Sequence, residues 1–374
     1  MFRLEVRPQP SATMAWLSPI LALAVTLVVG ASLFAMLGKA PLSALAVFFI
    51  EPIKNGYAWS ELAVKATPLL LIALGLSVCF RSNVWNIGAE GQFILGAIGG
   101  GWVAMQATEE SSKFILIPIL LAGIVAGAAW AGIVAFLRDR FNANEILVSL
   151  MLVYVADLLL QYLVYGPWKD PAGYNFPQTI TFAATTKLPK LFRGFRTDIG
   201  LLIALSTAAA LWVFLFRTYA GFQLQVGGLA PAAARYAGFS SRRALWTALA
   251  ISGGLAGLAG ALEAAGPLGQ LTPYVPAGYG FAAIIVAFVG RLHPIGAVFA
   301  SILMSMFYIG GELAQSRLGL PKSLTGVFQG LLLFTLLACD TLINYRLVWH
   351  TSVKPNAQPE ATLAKPSVKS PGSA

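Results

Sequence analysis

The sequence predicts an all-α polytopic transmembrane bundle of about ten spans, with short or broken helices, and three observations predict it. Of 374 residues, 57% are hydrophobic and only 11% are charged, against about 25% charged in soluble domains. Mean hydropathy is +0.75. Apolar runs near the roughly 20 residues that a helix needs to cross a bilayer recur along the chain. One membrane domain with no soluble domain attached is the expected organisation. The net charge of +10 does not mark a nucleic-acid binder, because the basic residues are scattered between apolar runs and form no stripe.

In order, the runs bounded by charge fall at 15–37, 62–80, 91–107, 114–137, 146–166, 199–216, 246–265, 279–290, 295–311 and 325–345. The first exceeds the roughly 7–15-residue apolar core of a signal peptide and reads as an uncleaved helix. The fourth carries Gly123, Gly127 and Ala131 at four-residue spacing. The seventh carries Gly253, Gly257 and Ala261, with Ser252, Ala256 and Gly260 on the adjoining face. Lipid tails are as apolar as leucine, so helices in membranes associate through close packing of small residues. These stripes predict close helix contacts within the chain, or otherwise a subunit interface. The eighth run is too short to cross roughly 30 Å of hydrocarbon. It reads as a half-helix, or as one tightly joined to the ninth through 291–296. Cys79 and Cys339 lie inside apolar runs and His293 and His350 stand far apart, so no disulfide framework, zinc or haem site is expected.

Basic residues in the loops set the orientation. With the N-terminus in the cytoplasm and the spans alternating, eleven of the fourteen arginines fall inside, and only Arg193, Arg196 and Arg317 fall outside. Eight of the eleven lysines fall outside, several in the long loop 167–198, so the balance is 14 basic residues inside against 11 outside. The expected organisation is a cytoplasmic N-terminus at 1–14, a transmembrane domain at 15–345 and a cytoplasmic tail at 346–374. That tail is rich in Pro, Ser, Ala and Lys, buries almost nothing and is expected to be disordered.

An ionisable group inside a span costs about 2.5–3.5 kcal/mol on insertion scales, so each needs a reason. Glu263 and Asp340 lie near span ends, within reach of headgroups or water. Asp157 sits near mid-span, and Tyr154, Asp157 and Gln161 share one helix face. That face is either solute-facing or a structural polar contact. Polar, glycine-bearing segments interrupt the apolar pattern at 81–92, 138–145 and 278–296. In the first, Asn86 is a candidate N-cap and Glu90 complements the dipole of the helix that follows. Broken or short helices in transporters mark the solute path, because loose backbone is tolerated at membrane depth only where protein or water covers it. Asn86, Glu90, Gln92, Tyr154, Asp157, Gln161 and Phe281 are therefore the candidate path residues.

The loop 217–244 is the longest predicted cytoplasmic connection, with four arginines and no acid. Pro231 opens a short helix there, Ala233, Ala234, Arg235, Tyr236 and Ala237 continue it, and Gly238 ends it. Such a helix is too short to be stable alone in water. It must dock on this chain's own membrane face or in a groove of a partner, with Tyr236 as aromatic anchor and Arg235 at the polar rim. No G-x-x-x-x-G-K-[ST] loop occurs, so the chain does not bind ATP phosphates in the usual way. Neither H-E-x-x-H nor G-x-S-x-G is present.

N-I-G-A-E-G-Q at 86–92, N-E-I at 144–146, A-A-R-Y-A-G at 233–238 and G-Y-G-F…I-I-V-A-F-V-G-R-L-H-P-I-G at 278–296 occur in this order. In these motifs the chain, over roughly residues 60–345, resembles the permease subunits of bacterial nucleoside and simple-sugar ABC importers. That family is a branch of the group that includes ribose and branched-chain amino-acid permeases. The resemblance implies a multi-pass protein of the bacterial inner membrane, both ends cytoplasmic, that moves nucleosides or related simple-sugar solutes by alternating access. It implies two permeases, often non-identical, and an extracytoplasmic solute-binding protein, typically a lipoprotein. It also implies a separate ATPase that holds ATP and magnesium, with no cofactor in this chain, and it puts the ATPase contact around 233–238.

One departure matters. The family has Asn-Pro before the A-A-R run, whereas this chain has Ala230-Pro231. Loss of a side-chain N-cap costs about 1 kcal/mol of helix stability. A rival reading is an ion-coupled secondary transporter acting alone, with Asp157 or Glu263 as its proton or cation site. A membrane enzyme would need paired polar catalytic groups, and the sequence offers no such pair.

Overall fold

At membrane depth a segment must satisfy its own backbone hydrogen bonds, and a helix does so without help from neighbours. The computed structural model describes residues 2–7, 11–321 and 323–349. A strand β1 (Phe2–Val6) precedes α1 (Ala12–Met36) and a short α2 (Pro41–Leu45), which runs on through π-helical and 3-10 turns to Ile53. Then come α3 (Gly56–Arg81), α4 (Ala89–Met105), α5 (Leu116–Phe141) and α6 (Glu145–Tyr165). A long loop leads to α7 (Gly200–Arg217), α8 (Tyr219–Leu229), α9 (Pro231–Tyr236) and α10 (Ser241–Glu263). The chain closes with α11 (Tyr279–Val289), α12 (Pro294–Leu318), α13 (Leu324–Asn344) and β2 (Tyr345–Trp349).

Among the described residues, eight helices are long and apolar enough to cross a membrane. The other two predicted spans are the 17-residue α4 and the 11-residue α11. Helices α3 and α10 form the axis of the bundle, with 89% and 72% of their apolar windows buried, against 22% for α1, α5, α6 and α13. The outer helices expose Val28, Leu121, Val125, Leu158 and Phe334. That is the surface of a multi-pass membrane protein, solvated by lipid.

The two glycine stripes meet each other. A Cβ on Gly127 would lie 2.7 Å from the Gly257 Cα, and one on Gly253 would lie 2.5 Å from the Ala131 Cβ. Helix α4 joins the same contact, since a Cβ on Gly100 would stand 2.9 Å from that of Ala261. On the far side α1 pairs with α13, with the Thr26 and Thr335 hydroxyls 3.1 Å apart. Between them the 41–53 excursion inserts Phe48 against Phe328, their ring centroids 4.7 Å apart.

The chain ends depart from expectation. Strands β1 and β2 pair antiparallel, Phe2 opposite Trp349 and Val6 opposite Tyr345. Residues 346–349 are therefore strand and not the start of a disordered tail. Two extended ends exchange backbone hydrogen bonds, and Arg346 adds an ion pair to Glu5 at 3.0 Å. The pairing brings Phe2–Val6 and Tyr345–Trp349 together on one side of the bundle. The rest of the predicted tail lies outside the described residues.

Candidate functional site

Two helices begin inside the bundle. Helix α3 ends at Arg81, Asn83 turns the chain at φ 54°, and the segment then runs back along the bundle. Asn86 Nδ2 donates to Ser252 Oγ at 3.0 Å, and Ser252 packs on Gly75, where a Cβ would lie 2.8 Å from the Ser252 Cα. By residue 86 the chain has thus returned to the level of Gly75, and α4 starts part-way along its neighbours. Helix α11 begins after Gly278 at φ 79°. Its 11 residues extend for roughly 16 Å to a turn where the Leu292 carbonyl accepts from Arg81 Nε at 2.8 Å.

The two inner ends are joined by Glu90. Its buried carboxylate accepts the Gly278 amide at 2.8 Å and the Gly280 amide as well. A carboxylate placed on a helix N-terminus satisfies orphan donors and complements the dipole. Gly280 is required there, since a Cβ would lie 2.5 Å from the Glu90 Cα.

Asn86 is not the N-cap of α4. Gly88 holds that position, with no side-chain cap. The Asn86 amide is committed elsewhere: Nδ2 donates to Gln92 Oε1 at 2.9 Å, and Oδ1 accepts from Gln92 Nε2 and from the Gly88 amide, each at 3.1 Å. Asn86, Glu90 and Gln92 are thus buried and satisfied within the protein.

The other candidate path residues are partly or fully exposed. Gln161 Nε2 donates to Asp157 Oδ2 at 2.9 Å, one turn along α6, and Tyr154 is exposed on the same helix. Phe281, next to the clamped Gly280, is 41% exposed.

Both acids near span ends have specific surroundings. Asp340 is gripped by Arg291 through two bonds of 2.9 Å, with the Ser18 hydroxyl joining the pair. Asp340 keeps partial exposure near the span end, and a guanidinium from the α11–α12 turn pairs with it there. That turn places Arg291 and Leu292 at φ 59° and 53°, non-glycine left-handed conformations that cost on the order of 1–3 kcal/mol each. Glu263 is buried and borders a cavity of about 10 Å³ shared with Thr67 and Asp198. Above it opens a cleft of about 230 Å³ lined by Lys187, Lys190 and Arg196. Burial raises the Asp198 carboxyl above its ordinary range, and the Gly200 amide, at 2.9 Å, opposes that rise.

The loop 217–244 holds two helices, where the sequence reading placed one. Helix α8 escaped that reading because its glycines resemble a loop, although Thr218 is a recognisable N-cap whose Oγ1 accepts from the Gly221 amide at 3.1 Å. It lies tight on α3: a Cβ on Gly228 would be 3.0 Å from the carbonyl carbons of Arg81 and Ser82. Gln225 Nε2 donates to the Leu215 carbonyl at 2.6 Å. Helix α9 runs from Pro231 to Tyr236 with no side-chain cap at Ala230, and the chain turns at Gly238, φ 79°. Ala234 is buried against the rest of the chain, whereas Pro231, Ala233, Arg235 and Ala237 are exposed. Tyr236 is 97% and Leu229 86% exposed. Helices α8, α9 and the start of α10 enclose a cleft of about 280 Å³ lined by Leu224, Ala234, Phe239 and Arg243.

The family described as branched-chain amino acid transport system / permease component matches residues 58–337. The glucose ABC transporter permease protein of Haloferax volcanii is 33% identical, over 92% of this chain and 93% of its own length. Two guanosine ABC transporter permease proteins of Bacillus subtilis also match. NupP is 28% identical over 83% of this chain and 90% of its own length, and NupQ is 30% identical over 71% and 85%. The chain therefore belongs to the family of branched-chain amino acid transport system permease components.

Proposed function

We propose that this chain is the permease subunit of an ATP-driven importer for nucleosides or related simple sugars, and that α8 and α9 are its seat for a separate ATPase. The observation that carries the reading is the α8–α9 surface. It is anchored to the bundle through Gly228, Gln225 and Ala234, and it presents Leu229, Arg235 and Tyr236 outward. An exposed aromatic beside an arginine on a preformed ledge suits a helix-in-groove contact. ATP and magnesium are held by the partner, and this chain supplies binding differences between outward- and inward-open states, not chemistry. The α8–α9 ledge and both chain ends face the cytoplasm, as the arginine distribution favours.

Tyr154, Asp157, Gln161 and Phe281 suit a solute with hydroxyls and a flat ring, a carboxylate and amide for the hydroxyls and aromatics for the ring. An aspartate left against lipid would cost about 2.5–3.5 kcal/mol, so the α6 face is read as covered by a second permease or by the path itself. The pair of guanosine ABC transporter permease relatives in one organism supports a non-identical second permease. An extracytoplasmic solute receptor completes the importer on the opposite side.

The test is uptake of labelled guanosine and glucose by proteoliposomes holding the whole complex. Uptake is expected to stop with a hydrolysis-dead ATPase. Arg235→Glu with Tyr236→Ala is expected to reduce co-purification of the ATPase while the permease still inserts. Uptake by this chain alone under an ion gradient would overturn the reading in favour of secondary transport.

A further inference from the structure

Arg81 stands where four elements meet. From the last turn of α3 its Nε donates to the Leu292 carbonyl at 2.8 Å and its Nη1 to Gln225 Oε1 at 3.0 Å, while the guanidinium lies 5.0 Å from the Phe216 ring centroid of α7. Among the described residues it is the one side chain hydrogen-bonded both to α8 and to the α11–α12 turn. Helices α8 and α9 are separated by Ala230 alone, so a partner pressing on Leu229 and Tyr236 moves both. Helix α11 is short, and its far end is fixed by Glu90, next to Phe281. A load applied at Gln225 therefore reaches Leu292 through one guanidinium, and passes along α11 to Phe281.

We propose that Arg81 is the positioning residue through which movement of the α8–α9 ledge is transmitted to α11 and Phe281. This rests on the reading of α8–α9 as the ATPase seat. The planar guanidinium holds two acceptors at a fixed angle, which the single ammonium of lysine does not reproduce. Leu292 is a suitable receiving point because its left-handed backbone, held in place by the neighbouring Arg291–Asp340 pair, has a more relaxed alternative to move to.

The experiment uses the complete permease–ATPase complex with Phe281→Cys as a reporter and Cys79 and Cys339 replaced by alanine. The rate of maleimide labelling at position 281 is measured with and without ATP and magnesium, a readout that needs no identified solute. With Arg81 intact, nucleotide is expected to change the rate. In Arg81→Lys and in Gln225→Leu that change is expected to shrink about tenfold, the effect of losing one hydrogen bond to a charged group. Gln225→Glu keeps the acceptor for Arg81 and, like Gln225→Leu, loses the donor to the Leu215 carbonyl, so the pair isolates the Arg81 bond, and Gln225→Glu is expected to retain the response. Because Gln225 also anchors α8, the ATPase that co-purifies is measured for every variant and the labelling response is compared per bound ATPase, so a weakened seat is distinguished from lost transmission.

An unchanged response in both Arg81→Lys and Gln225→Leu would overturn the proposal, and so would no nucleotide response with Arg81 intact. If Arg81→Lys fails to fold, the half-buried Gln225 pair decides alone: equal responses in Gln225→Leu and Gln225→Glu reject the assignment. Failure of the intact chain to hold the ATPase would instead remove the coupling reading on which it rests.

Discussion

Glu90 and Gly278 are 188 residues apart in sequence, yet the carboxylate of one accepts the backbone amide of the other at 2.8 Å. With Gly280 as second donor, this bond ties the start of α4 to the start of α11 inside the bundle. Removing the carboxylate leaves two buried amides without acceptors, at about 1–3 kcal/mol each. Glu90→Ala is therefore expected to lower thermal stability in detergent strongly. Glu90→Gln, whose carbonyl still accepts, is expected to fall between it and the wild type. Fluorescence-detected unfolding of the purified chain measures the order, and equal melting of all three would contradict the clamp.

The same pair shows what was legible in the sequence. Helix positions follow from apolar runs, and close packing at Gly127, Gly253 and Gly257 follows from small residues at helical spacing, but that these two stripes meet each other is seen only in the structure. Glu90 was read as a helix-dipole partner of its own α4. It does stand in the first turn of α4, but its carboxylate also accepts amides at the start of α11, and no local pattern encodes a contact of that sequence separation. Asn86 failed as an N-cap for a similar reason: the amide of Gln92 and the hydroxyl of Ser252 compete for its side chain. Helix α8 and the β1–β2 ribbon are not legible because a glycine-rich stretch with almost no amphipathic period and two short chain segments carry weak periodic signals.

The glycine contacts predict effects of opposite sign at two positions. A Cβ on Gly257 would lie 2.9 Å from the Gly127 Cα, in the close seam between α5 and α10. Overpacking of that kind costs typically about 1–3 kcal/mol, so Gly257→Ala is expected to destabilise. Gly326, in α13, has nothing within 4 Å of its Cβ position. Alanine there gains up to about 1 kcal/mol of helix propensity, so Gly326→Ala is expected to be neutral or stabilising. Comparing the two melting temperatures with that of the wild type checks the seam directly.

The Arg291–Asp340 pair is partly shielded, its side chains 35% and 29% exposed. Exposed pairs contribute roughly 0.2–1 kcal/mol, and breaking a buried one costs about 3–5 kcal/mol. Asp340→Asn is expected to fall between these limits. Ser18→Ala acts on the same cluster, so its effect is expected to be smaller in the Asp340→Asn background than alone. Strict additivity in a double-mutant cycle would show that Ser18 stands outside the network.

His293 makes stability depend on pH through its cap. Its Nδ1 accepts the Ile295 amide at 3.2 Å, which requires that nitrogen to carry no proton. Burial first, and then the charge of Arg81, lower its pKa from an unfolded value of about 6.5. The folded state therefore binds this proton less readily than the unfolded chain. The stabilisation is fully present above about pH 6.5 and is lost as pH falls towards the folded value. Asp198, raised by burial, acts in the opposite sense, its contribution being lost as pH rises, so only a difference between variants isolates the histidine. Asparagine caps a helix without titrating. The melting temperature of wild type minus that of His293→Asn is expected to decrease between pH 7.5 and 5, and a constant difference across that range would show that the cap does not titrate.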